Sequence, residues 1–145
     1  MTDAHVETAA TTVELRLPAK PESVSLARLA LAGVAAIARA GPADTADLKL
    51  AISEVCTCFV QAVEQDEQRP MVLRYTTDGD AFQFEVEHAA VALEPGQLGE
   101  HGNGKSGSGA LGLAIARAVT VALRIESGFG GTRIVGAKLL DGDDE

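Results

Sequence analysis

A glycine-rich segment comes nearest to a known phosphate-binding pattern. Residues 99–106 read Gly-Glu-His-Gly-Asn-Gly-Lys-Ser and match G-x-x-x-x-G-K-S letter for letter. In such a loop, backbone N–H groups and the lysine hold phosphates at the start of a helix, after a strand has delivered the chain. No strand pattern precedes Gly99, and only about 40 residues follow Ser106, too few for the parallel strands of such an enzyme. We therefore predict a flexible lid with one basic residue, Lys105.

The elements that would position this lid follow from the hydrophobic periodicity of the chain. Apolar and polar residues alternate in five segments, which predicts strands, and apolar residues recur at helical spacing in three others. The strands are predicted at 13–17, 71–76, 82–87, 121–125 and 132–139, and the helices at 23–40, about 44–62 and about 111–119. Asp44 and Thr45 are cap candidates for the second helix. The stretch 89–108 is the lid, and we expect it to be poorly ordered.

The order β-α-α-β-β-lid-α-β-β predicts an α/β two-layer sandwich, with three helices on one face of a mixed five-stranded sheet. We expect a mobile arm over 1–12, one domain over 13–140 and an acidic tail over 141–145. The sequence shows no signal-peptide pattern and no apolar run that would cross a membrane, so it predicts a cytoplasmic protein. Cys56 and Cys58 would point to nearly opposite sides of a helix, and we predict that they do not pair.

The charge balance narrows the choice of partners. The 145 residues include 21 Asp and Glu against 12 Lys and Arg, which gives a net charge of -9. A protein that binds duplex DNA needs a basic footprint, so this balance disfavours direct contact with nucleic acid. A basic protein partner suits an acidic chain better.

Three segments resemble one known family. Residues 47–60 read Asp-Leu-Lys-Leu-Ala-Ile-Ser-Glu-Val-Cys-Thr-Cys-Phe-Val, residues 110–115 read Ala-Leu-Gly-Leu-Ala-Ile, and residues 130–132 read Gly-Gly-Thr. Together they resemble the anti-sigma factor serine-kinase family, within the superfamily of gyrase, Hsp-type chaperone and histidine-kinase ATPase domains that share the Bergerat fold. The resemblance extends from about Val13 to Leu139, and its most specific part is the second helix. It implies a histidine-kinase-like ATPase fold, with which the predicted element order agrees.

The resemblance gives Glu54 and Cys58 candidate roles. In the family, the second helix carries a Glu that acts as general base toward an incoming hydroxyl and, four residues later, an Asn that holds magnesium. Glu54 stands at the Glu position, which implies a catalytic residue; without the family, it is a partly exposed carboxylate beside an apolar stripe. Cys58 stands at the Asn position. Magnesium takes oxygen ligands and a thiol is a poor substitute, so we predict no metal site.

The other nucleotide positions of the family are only partly kept. Its Asp-x-Gly-x-Gly element, in which the Asp binds the adenine amino group, aligns with His88, Ala90 and Ala92. A neutral His can accept one hydrogen bond and so replace the Asp in part; read alone, His88 is an ordinary surface residue. The family's Gly-x-Gly element reads Ala110-Leu111-Gly112 here, and the N–H groups at the start of the third helix could still receive phosphate. The final Gly-Thr is intact as Gly131-Thr132; read alone, all these glycines serve lid flexibility and a tight turn. The implied nucleotide-binding residues are Cys58, His88, Lys105, Gly109, Gly112 and Thr132.

Three functions remain open at this point. The resemblance implies a bacterial anti-sigma factor that sequesters an alternative RNA polymerase sigma factor, regulates stress-response transcription and is countered by an anti-anti-sigma protein. It also implies a serine kinase that inactivates the anti-anti-sigma protein with ATP. The third function is a stand-alone ATPase-fold signalling domain. Because the magnesium and adenine anchors are replaced, we predict the first function, with ATP and magnesium binding weak or absent.

The resemblance further implies a homodimer with an apolar surface on the first helix. Leu31 and Ala35 lie on the flank of that helix and could contribute to such a surface. The monomer itself could equally cover them, so the oligomeric state stays open.

Overall fold

The computed structural model describes residues 10–93, 107–128 and 130–141. The elements follow the predicted order: β1 (Thr11–Leu17), α1 (Pro21–Ile37), α2 (Pro42–Ala62), β2 (Met71–Asp78), β3 (Ala81–His88), α3 (Gly107–Ala118), β4 (Ala122–Gly128) and β5 (Gly131–Leu139). Strand β1 therefore begins within the predicted arm. Residues 1–9 of that arm, 94–106 of the lid and 142–145 of the tail lie outside the described residues. No helix of the described ranges is long and apolar enough to cross a membrane.

The five strands form one sheet in the order β1-β2-β3-β5-β4. The prediction of a mixed sheet is wrong, because all four neighbouring pairs are antiparallel. The helical pair α1–α2 returns the chain to the end of the sheet that it left, since Leu17 lies opposite Met71. Strands β3 and β4 run in the same direction, but β5 lies between them and pairs with both.

One face of the sheet carries the core. Successive strand residues point to opposite faces, and one row across the sheet is apolar in every strand. That row consists of Leu15, Leu73, Val86, Ile134 and Ile125. The three helices pack on this face, as predicted, and the buried Tyr75 hydroxyl donates to the Ala27 carbonyl of α1 at 2.8 Å.

Among residues 10–93, 107–128 and 130–141, no helix packs on the opposite face of the sheet, and ion pairs cover it. Arg74 contacts Glu14 at 3.1 Å and Glu85 at 3.4 Å. Arg133 contacts Glu85 at 3.5 Å and Glu126 at 2.8 Å. Alternating charges thus connect all five strands across the surface that we call the open face.

The second helix begins earlier than the sequence suggested. Gly41 is its N-cap and Pro42 its first residue, a position that suits proline because its missing N–H would have no helical partner there. Asp44 is not the cap. Its buried carboxylate instead accepts the Asp141 N–H at 2.8 Å and lies 3.5 Å from Lys138 Nζ, which ties the end of β5 to α2.

Candidate functional site

Helices α2 and α3 bring Glu54 and Gly112 into direct contact. A Cβ added to Gly112 would lie 2.7 Å from Glu54 Oε1, so the glutamate carboxylate rests against the backbone of α3. Gly112 is buried and Glu54 is half-buried. A Cβ here would displace the flexible end of the Glu54 side chain, so this close contact, in its present geometry, uses one glycine that the sequence singled out.

Cys58 follows Glu54 by one helical turn and is buried, with 5% of its surface exposed. Burial, reinforced by the negative charge of Glu54, raises the pKa of the Cys58 thiol to about 11. The neighbouring Cys56 is fully buried, and burial raises its pKa to about 12. Both cysteines are free, as predicted, and both are protonated thiols at neutral pH.

His88 lies at the end of β3 and is 1% exposed, so it is not the surface residue that its position suggested. Its Nδ1 accepts the Ala90 N–H at 3.0 Å, and its Nε2 lies 2.8 Å from the Arg69 carbonyl oxygen. The first bond makes Nδ1 an acceptor, so the neutral ring carries its proton on Nε2 and donates to Arg69. Both ring nitrogens are therefore used within the chain and join the start of β2 to the end of β3.

Thr132 lies directly opposite His88 on β5 and is also buried. Its hydroxyl accepts the Leu93 N–H at 2.8 Å, and Ser127 Oγ donates to the Leu93 carbonyl at 3.3 Å. The adjacent Gly131 approaches β3 so closely that a Cβ would lie 2.8 Å from the His88 carbonyl oxygen. These contacts fasten residues 89–93, so this first part of the predicted lid is packed against the domain.

The predicted site residues therefore form two groups. Glu54, Cys58 and Gly112 meet where α2 packs on α3, and Gly109 lies in the first turn of α3. His88 and Thr132 pair across β3 and β5. Lys105 and the P-loop-like segment lie outside the described residues.

The comparison with known proteins decides the family. The family described as histidine kinase-like ATPase domain matches residues 17–137. The chain belongs to this family. The resemblance to serine kinases of the anti-sigma type is confirmed, because this ATPase-family chain is also 31% identical to the serine-protein kinase RsbW of Bacillus velezensis over 143 residues. That match covers 90% of this chain and 87% of the relative.

Further relatives agree with this assignment of the histidine kinase-like ATPase domain. The serine-protein kinase RsbW of Bacillus subtilis (strain 168) is 29% identical, with the same two coverages of 90% and 87%. Among solved structures, the crystal structure of the RsbU and RsbW domains of Rv1364c from Mycobacterium tuberculosis superposes with a TM-score of 0.69 at 23% identity. The superposition includes 90% of this chain and 32% of the longer solved chain, and it supports the fold.

ATP and magnesium are the groups that the histidine kinase-like ATPase family implies. The side chains at two anchor positions do not fit them in this conformation. A buried, protonated thiol at Cys58 offers magnesium no oxygen ligand. His88 has no ring nitrogen left to accept a hydrogen bond from adenine.

Two contributors to this region were missed by sequence reasoning. Arg69 supplies the carbonyl that receives His88, and Ser127 holds the Leu93 carbonyl. Neither residue carries a pattern that could have revealed it, because Arg69 lies in an irregular loop and Ser127 lies at the end of a strand. Both contacts depend on antiparallel pairing between segments that are distant in the sequence.

Proposed function

We propose that this histidine kinase-like ATPase domain is an anti-sigma factor that sequesters an alternative sigma factor in the cytoplasm and is countered by an anti-anti-sigma protein. The observation that carries the proposal is the commitment of Cys58 and His88 to the interior of the fold. Nucleotide chemistry needs polar groups that are free to bind a ligand at these two positions, whereas sequestration of a partner needs only an intact fold with an accessible surface. The match to serine-protein kinases of the RsbW type supports the same assignment.

We propose that ATP binding by the free protein is weak or absent. Each lost polar contact to a nucleotide costs about 1–3 kcal/mol, so losing the metal and adenine anchors lowers affinity by about a hundred-fold or more. Calorimetry with ATP, with and without magnesium, tests this directly. A magnesium-dependent site of sub-micromolar affinity would contradict it.

The exposed face of α1 is the protein-binding surface in this proposal. Leu26, Leu29 and Ile37 are 52%, 70% and 65% exposed and recur at helical spacing on one side of the helix. Gly33 lies between them, and a Cβ there would meet nothing within 4 Å, so the fold itself gives no reason for this helical glycine. A glycine at that place lets another chain approach the α1 backbone closely.

We assign this face to a second copy of the chain, as the family resemblance implies. Leu31 and Ala35, the earlier candidates, are fully buried in the monomer and are replaced by Leu29 and Ile37. Sedimentation should show a dimer for the native chain and a monomer for Leu29→Asp. Leu111→Asp, which changes a similarly exposed leucine of α3, is the matched control and should leave the dimer intact.

The second candidate function is an active serine kinase that modifies the anti-anti-sigma protein. The observation that favours it is the contact between Gly112 and Glu54, the residue to which the family resemblance gives the role of general base. If phosphotransfer occurs, Glu54→Gln should abolish it while leaving nucleotide affinity nearly unchanged, because a general base acts in the chemical step. Loss of both activities together would show that Glu54 acts in binding or folding.

The experiment that tests the main proposal mixes the purified protein with each alternative sigma factor of its source organism. The expected result is association at micromolar or better affinity and loss of transcription by that sigma factor. If no sigma factor binds and transcription is unaffected, the proposal fails. A stand-alone ATPase-fold signalling domain then becomes the better description.

A further inference from the structure

A cleft lies on the open face of the sheet, on the side opposite α2 and α3. Its floor is one row of residues in cross-strand register, with one residue from each strand: Arg16, Val72, Glu87, Arg133 and Glu126. Residues that lie directly opposite one another point to the same face, so this row is continuous. Segments at the strand ends form the walls, namely 69–70, 88–89, 127–128 and 131–132. The cleft encloses about 670 Å³, a volume typical of small-ligand sites.

Two arginines that line the cleft, Arg16 and Arg69, are each paired with a carboxylate. Arg69 donates from Nε and Nη2 to Glu67 at 2.8 and 3.1 Å. Arg16 donates from Nε to Glu14 at 3.1 Å, and its Nη2 lies at the same distance from that carboxylate. Both arginine side chains are exposed, so each pair restrains its guanidinium only weakly, but it directs one edge to the carboxylate and leaves the other edge for a ligand.

These ion pairs leave some guanidinium N–H donors unused. A guanidinium carries five N–H groups, and within the described part of the chain Nη1 of Arg16 and of Arg69 has no acceptor. Of the two carboxylates that line the cleft, Glu87 has one contact among the described residues, with Arg74 Nη1 at 3.5 Å, and Glu126 is more fully occupied. Glu126 receives Arg133 at 2.8 Å and also Arg124 at 3.1 Å. The Nη1 groups of Arg16 and Arg69 therefore remain as donors at the cleft, which suits a ligand that brings acceptor oxygens.

The backbone at Arg69, in the wall of the cleft, is held by a hydrogen bond from a buried residue. The buried His88 bonds the Arg69 carbonyl, so the backbone at this point is tied to the end of β3. Carbon atoms of Pro70, Val72 and Ala89 line the space between the charged groups. A ligand that matches this lining has one anionic group and a compact apolar body.

We propose that this cleft binds a small organic oxyanion, whose carboxylate or phosphate group lies between Arg16 and Arg69 and whose apolar body lies over Val72. Guanidinium groups recognise both oxyanions through paired N–H donors. Two residues of the cleft wall, His88 and Thr132, are also candidate nucleotide positions, but both are buried and their side chains point to the core face of the sheet, whereas Arg16 and Val72 point to the open face. The variants at Arg16 and Arg69 test this site apart from the function proposed above, because neither arginine is a candidate nucleotide position.

The test titrates the full chain, observed by amide NMR at constant ionic strength, with phenyl phosphate, benzoate and inorganic phosphate. Binding of phenyl phosphate or benzoate, with shifts confined to residues 69–72, 87–89 and 126–133, supports the proposal, and the tighter probe identifies the oxyanion. Inorganic phosphate should bind more weakly than phenyl phosphate. Equal affinities would overturn the apolar part of the proposal, and the absence of shifts in the cleft with either organic probe would overturn all of it.

Variants locate the binding site. Arg16→Gln and Arg69→Gln should each weaken binding of the tighter probe by about ten-fold or more, because each removes a charge-assisted contact. Arg124→Gln is the matched control. Like Arg16 and Arg69, Arg124 is an exposed arginine that pairs with a carboxylate, here Glu126, but it does not line the cleft. Its effect should stay within about two-fold. An equal loss in all three variants would show only general attraction between charges and would overturn the proposal. Thermal unfolding checks that each variant folds, and if one does not, the other carries the test.

Discussion

Replacing His88 with alanine separates the two roles that this residue could have. As an adenine contact, His88 would affect nucleotide affinity and leave stability nearly unchanged. In the structure, the ring instead has a structural role: its two hydrogen bonds join Arg69, which precedes β2, to Ala90, which follows β3. His88→Ala should therefore destabilise the fold.

The expected loss of stability follows from the contacts of His88 that alanine cannot make. Two hydrogen bonds of about 0.5–1.5 kcal/mol each are lost, and a side chain that is 1% exposed is replaced by a smaller one. We expect a loss of about 2–3 kcal/mol in the free energy of unfolding. With an unfolding entropy of about 2.1 cal/mol/K per residue, a chain of this length should then melt about 7–10 °C lower.

The measurement is thermal and urea unfolding followed by circular dichroism. Gln83→Ala is the matched control, because Gln83 lies on the same strand but is exposed on the open face, and its effect should stay within about 0.5 kcal/mol. The reasoning is refuted if His88→Ala melts at the same temperature as the native chain. If that variant also loses nucleotide binding, the adenine role is the correct one.

Three further predictions concern the core, the thiols and one ion pair. Gly136→Ala should destabilise by about 2–3 kcal/mol in urea unfolding, because its Cβ would overlap a buried aromatic ring of β3; an unchanged midpoint would contradict this. Cys56 and Cys58 should not react with a thiol reagent at pH 8 until denaturant is added, since burial raises the pKa of both. Hydrogen bonds from Arg69 lower the pKa of Glu67 to about 2, so the stability from this pair is present above the ordinary Glu pKa and is lost as the pH falls toward 2. Carboxyl NMR should show the Glu67 pKa rise in Arg69→Gln yet stay below its ordinary range, because the backbone N–H of residue 69 still donates to the carboxylate.

The order of elements could be predicted from the sequence because it depends on local periodicity. Alternating residues in the strands and the apolar stripe of α2 are set by which side chains can be buried together. Pairing of strands depends instead on contacts between distant segments. The insertion of β5 between β3 and β4, which makes the sheet wholly antiparallel, is therefore absent from any local pattern.

The candidate site divides in the same way. The sequence by itself determined the family and placed Glu54 and Cys58 one helical turn apart, since helical spacing fixes their relation. Only the tertiary structure decided that Gly112 packs against Glu54 and that both nitrogens of His88 are used within the chain. It also brought Arg16 and Arg69 to one cleft. The physical reason is that burial and hydrogen-bond partners are properties of segments brought together by folding, and residue type alone does not specify them.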